Sequence, residues 1–131
     1  MRLSQLTIVA ALSVVAGVAV AVPASAQHGG RDDVRTSGSC SAGSTWQLKA
    51  KPDDGRIEVE FEVDSNRNGQ TWAVALNDQG VRIFTGSRVT HAPSGSFSLE
   101  RRAANRSGTD TFTAKARNTR TGEVCTGHIS A

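Results

Sequence analysis

Residues 57–64 alternate without exception: Ile57, Val59, Phe61 and Val63 against Glu58, Glu60, Glu62 and Asp64. A period of two puts the apolar set on one side of a pleated strand and the acidic set on the other. On a helix the same residues would be scattered round the circumference, and Ile, Val and Phe favour strands anyway. A slip of one residue would carry four carboxylates into the core, so the register is firmly specified. This stretch is predicted as the central strand of one sheet.

The flanking segments repeat the pattern. Residues 46–51 alternate and run into Pro52-Asp53-Asp54-Gly55, read as a four-residue turn. Pairing Lys51 with Arg56 sets Ala50 beside Ile57, Leu48 beside Val59 and Trp46 beside Phe61, with Lys49 opposite Glu58. Residues 70–77 carry Trp72, Val74 and Leu76 on one face. The turn Asn77-Asp78-Gln79-Gly80 leads back into 81–85, with Leu76 on Val81 and Val74 on Ile83. That register leaves Ala73, Ala75, Arg82 and Phe84 on the opposite face. After a loop over 86–95, residues 96–101 point Phe97 and Leu99 inward, and 102–108 form a polar loop. Residues 109–117 and 123–130 make a last hairpin. Pairing Asn118 with Glu123 sets Ala116 on Cys125, Ala114 on Gly127 and Phe112 on Ile129, with Lys115, Arg117 and His128 outward. Seven short strands and no helical period after residue 27 predict an all-β fold, a single two-layer antiparallel sandwich. Strands 46–51, 57–64 and 96–101 form one sheet and the other four the second.

The first 26 residues stand outside this pattern. Arg2, an Ala- and Val-rich apolar run over 6–22, and Pro23-Ala24-Ser25-Ala26 ending in A-x-A form a secretory signal peptide at 1–26. The protein is therefore expected to be secreted, with no stable membrane insertion after signal cleavage. Residues 27–39 are polar, Gly- and Ser-rich and aperiodic, and read as a flexible leader ahead of the β-sandwich domain at 40–131. Without Arg2 the chain carries 14 basic and 12 acidic residues. So balanced a charge implies no nucleic-acid partner. Two cysteines in an exported chain, Cys40 and Cys125, are expected to form one structural disulfide.

Trp72 lies on the third predicted strand, where immunoglobulin domains carry their core Trp, and the strand order resembles the immunoglobulin and fibronectin type III architectures. The second and sixth strands hold no cysteine, and there is no Tyr for a tyrosine corner. More narrowly, the segments SGSCSAGSTW, KPDDGRIEVEFEVD, GQTW and TGEVC resemble the small secreted, functionally uncharacterised proteins of high-GC Gram-positive bacteria. That resemblance implies a compartment and an immunoglobulin-like fold, and no activity.

Candidate chemistry is sparse. Asp64-x-Asn66-x-Asn68-Gly69 opens like an EF-hand calcium loop, but the twelfth position, where a bidentate Glu belongs, is Ala75. The bland reading is a strand connection, and no metal or other cofactor is expected. Glu58, Glu60, Glu62 and Asp64 read as a solvated stripe rather than the converging pair a glycosidase needs. His28, His91 and His128 lack a nucleophile in a supporting context. No catalytic residues are assigned, and the protein is expected not to be an enzyme. Arg101, Arg102 and Arg106 read as a solvated group able to meet an anionic polymer. The expected binding face is Phe84 with Ala73 and Ala75, rimmed by Arg82, Lys115, Arg117 and His128. These features point to a non-enzymatic binding or interaction module for an extracellular protein or a cell-wall polymer. The alternatives are a hydrolase inhibitor using 86–95 as its reactive loop, or a structural component of the cell envelope.

Overall fold

The computed structural model describes residues 33–131; the expected signal peptide and residues 27–32 of the expected leader lie outside the described residues. Eight strands follow one another: β1 (Val34–Ser39), β2 (Thr45–Asp53), β3 (Arg56–Asp64), β4 (Thr71–Asp78), β5 (Val81–Val89), β6 (Ser96–Ala104), β7 (Thr111–Asn118) and β8 (Val124–Ser130). They form two four-stranded antiparallel sheets, β1-β2-β3-β6 and β5-β4-β7-β8. The division of strands between sheets is the expected one. The count differs by β1, which lies within the stretch expected as a leader.

β1 holds one aliphatic residue in six, so no alternation betrays it. Its contribution is a backbone ladder, from Val34 opposite Ala50 to Ser39 opposite Thr45. Gly38 matters for a different reason: a Cβ there would stand 2.8 Å from the Trp46 ring, and one on Gly127 of β8 would stand 2.5 Å from it. The two glycines make the slot that lets Trp46 close the side of the sandwich where β1 meets β8. Beside it the Thr36 hydroxyl donates to the His128 carbonyl at 3.1 Å.

Both early turns are tighter than expected. Asp53 pairs with Arg56, leaving Asp54 and Gly55 as a two-residue turn with φ of 47° and 74°. Such a turn has the twist that strands require. Pro52 sits in the ladder next to it, opposite Ile57 and beyond the end of β1, where a missing N–H costs nothing. The register moves by two, so every face is kept and only the partners change. Leu48 meets Phe61, and Lys49 meets Glu60 at 3.6 Å rather than Glu58.

The second hairpin turns at Gln79-Gly80, with Asp78 opposite Val81. A bulge follows: Asn77 pairs with Arg82 but Leu76 with Phe84, which leaves Ile83 extra. One extra residue inverts the faces of everything after it. β5 then continues to Val89 and β6 to Ala104, so the loops expected at 86–95 and 102–108 are shorter. What remains of the first is pinned: Thr90 N–H donates to Gln70 O at 2.9 Å and its hydroxyl to Arg67 O at 2.5 Å. Residues 90–95 are what is left of the loop on which the inhibitor reading rests. The last hairpin has the expected pairs, Ala116 with Cys125, Ala114 with Gly127 and Phe112 with Ile129.

Leu48, Ile57, Val59, Phe61, Val63, Phe97 and Leu99 from the first sheet meet Trp72, Val74, Leu76, Phe112 and Ile129 from the second. Phe97 is the hinge of this packing, with ring centroids 6.4 Å from both Phe61 and Trp72. Cys40 and Cys125 are joined as expected. The bond fastens the β1–β2 turn of one sheet to β8 of the other.

Candidate functional site

The outer face of the second sheet is built from three rows that cross it. They are Arg82, Asn77, Thr113 and His128; Thr85, Ala75, Lys115 and Thr126; and Ser87, Ala73, Arg117 and Val124. Small residues at 73, 75 and 86 leave an open depression of about 420 Å³, walled by Thr85, Ser87, Lys115 and Arg117. The three rows contain Arg82, Lys115 and Arg117 and no carboxylate. Arg82 Nε donates to Asn77 Oδ1 at 2.8 Å, a neutral partner that leaves its charge uncompensated. The outer face of the first sheet contrasts with it. There the Glu58–Asp64 stripe is interleaved with cations, Lys49 beside Glu60 and Arg102 paired with Asp53.

Phe84 is the one expected member that lies elsewhere. The bulge at Ile83 turns its ring to the inner side, half-buried against the core. There the guanidinium carbons of Arg101 and Arg88 stand 4.4 and 4.8 Å from its centroid. A Cβ on Gly86 would come within 2.9 Å of that ring, so the glycine makes room for it. Thr85, Gly86 and Ser87 take the place Phe84 was expected to hold. The signal for them was the bulge itself, which periodicity over five residues does not reveal.

The other sequence motifs disperse. Asp64 Oδ1 accepts from Asn66 N–H at 2.8 Å, with Asn66 at φ 57° and Gly69 at φ 76°, which is a turn made by Asn and Gly backbone freedom. Arg101, Arg102 and Arg106 go separate ways, to Phe84, to Asp53 and to Asp78 at 3.9 Å. His91 contacts its neighbour's carbonyl, Ala92 O, at 3.2 Å, and His128 lies on the outer face of β8. His28 lies outside the described residues.

Three buried carboxylates, Glu123, Asp78 and Asp110, went unnoticed in the sequence. Glu123 accepts from Ala42 N–H and Ser44 N–H, both at 2.9 Å, and from the Ser44 hydroxyl at 2.7 Å. Burial alone would raise its pKa; the three donors outweigh that and hold it below the ordinary glutamate range. Asp78 is the opposite case, 1% exposed at the far end of the sandwich. Burial raises its pKa first, the neighbouring Asp110 charge raises it further, and Arg106 offsets only part. Asp78 Oδ1 and Asp110 Oδ1 have no hydrogen-bond partner. A carboxylate with a raised folded pKa costs stability once pH rises above its unfolded value. Asp78→Asn is therefore expected to raise the thermal midpoint at pH 7, with the gain shrinking as pH falls through the ordinary carboxylate range. A lowered midpoint at pH 7 would contradict this.

Among the described residues no helix is long and apolar enough to cross a membrane, and no three His, Cys, Asp or Glu side chains are placed to hold a metal ion. Comparison with protein-family models, curated proteins and solved structures finds no match for this chain.

Proposed function

We propose that this protein is an exported, non-enzymatic binding module that holds an anionic extracellular polymer on the outer face of its second sheet. The observation that carries the reading is the carboxylate-free face itself, with Lys115 and Arg117 standing over a floor of Ala73, Ala75 and Gly86. A flat strip of cations without acidic neighbours attracts a polyanion and leaves a small-residue floor for its backbone. The disulfide supports an oxidising compartment. The order β2-β3-β6 against β5-β4-β7-β8 supports an immunoglobulin or fibronectin type III relationship, with β1 as an added edge.

The test is retention on immobilised poly(glycerol phosphate). Wild type is expected to bind and to elute as salt rises. Lys115→Glu combined with Arg117→Glu should weaken retention about tenfold or more with folding intact. Equal retention of the double variant would remove this face as the site.

A further inference from the structure

At the end of the sandwich where β4 begins and β7 finishes, a cleft of about 350 Å³ lies between the β3–β4 connection and the β7–β8 turn. Arg67 and Arg120 flank it, and Gln70, Thr71, Asn118 and Thr119 line it. Neither arginine has a carboxylate within ion-pair distance among the described residues.

Asn118 is the informative residue. It is 1% exposed, and its Oδ1 accepts from Arg120 N–H and Thr121 N–H, both at 3.0 Å. Those two bonds fix which way the amide lies, and its Nδ2 is left with no partner. Gln70 Oε1, in the same cleft, is also buried and unpartnered. Buried polar groups are almost always satisfied, so each one left alone calls for a partner. An orphaned donor and an orphaned acceptor in one cleft between two free guanidiniums are the complement of a specific ligand. The walls are also set in advance. Thr119 N–H donates to Thr71 O at 3.0 Å, and Gln70 N–H to Thr90 Oγ1 at 2.9 Å.

We infer that this cleft binds a hydroxyl-bearing carboxylate: a sugar acid or a small hydroxy acid. The carboxylate takes the guanidinium fork and the Asn118 amide hydrogens, all donors. An adjoining hydroxyl donates to Gln70 Oε1. An anion without a hydroxyl leaves Gln70 Oε1 unanswered, and a neutral sugar leaves both arginines unanswered. The volume is at the small end of the range for ligand sites. The site is separate from the sheet face and stands or falls without it.

Calorimetric titration of the purified protein tests the assignment with glucuronate, glycerate, glucuronamide and inorganic phosphate. Glucuronate is expected to bind. Glycerate binding as well would identify small hydroxy acids as sufficient, and its failure would assign the site to a sugar acid. Glucuronamide, which lacks only the charge, should bind about tenfold more weakly. Arg67→Ala with Arg120→Ala, both exposed, should abolish binding at an unchanged melting temperature. Failure of both acids to bind at millimolar concentration, equal affinity for glucuronamide, tighter binding of phosphate, or retained binding in the double variant would each overturn it.

Discussion

Replacing Cys40 and Cys125 together by alanine is expected to cost about 4–5 kcal/mol of unfolding free energy, the loop-entropy value for a closure this long. The two residues are 85 apart in sequence, so the reduced unfolded chain regains most of its freedom. Domains of this size hold about 5–15 kcal/mol in total, and the double variant should therefore be marginal at 37 °C. Urea unfolding of wild type with and without reductant, beside the alanine variant, measures it. The reduced protein and the variant should agree. A midpoint shift worth less than about 1 kcal/mol would mean that the sheets are held together without the bond.

The second large effect is at Glu123. Its carboxylate answers three donors of the 42–44 turn from the opposite sheet. Glu123→Ala leaves all three without a partner and is expected to cost about 3 kcal/mol at pH 7, allowing for partial rehydration. The pH dependence gives a second reading. A carboxylate with a depressed folded pKa stabilises fully above its unfolded value, and that contribution fades as pH falls through the folded one. Wild type should therefore lose stability on acidification below the ordinary glutamate range, and Glu123→Ala should lack that part of the loss. Equilibrium unfolding of both proteins over the acid range checks the two statements together. Parallel pH curves would contradict the second. Glu123, just ahead of β8, and the disulfide at Cys125 hold the same turn, so their effects should combine to less than their sum.

How much could be read in advance depended on what each residue had to do. Ile57 to Asp64 and the Phe112–Ile129 hairpin were legible because burial on one face leaves a period of two in the letters. The disulfide was legible because only one pairing exists. β1 was not, because an edge strand of Ser, Thr and Gly contributes backbone rather than side chains. The turn at Asp54-Gly55 was overestimated by two residues without harm, since an even shift preserves the faces. At Ile83 the shift was odd, and Phe84 moved from the outer face to the space between Arg88 and Arg101. The other residues expected on that face do share it, because Ala73, Ala75, Lys115, Arg117 and His128 lie on strands without a bulge and Arg82 precedes it. The cleft beside Asn118 was illegible: its evidence is the absence of partners for two buried atoms, which only packing reveals.

The most direct test of the binding face is an amide chemical-shift map of the ¹⁵N-labelled protein titrated with poly(glycerol phosphate). Perturbations are expected to concentrate at Ala73, Ala75, Gly86, Lys115 and Arg117 and to vanish at high salt. Perturbations centred on the Glu58–Asp64 face, or none at all at low salt, would contradict it.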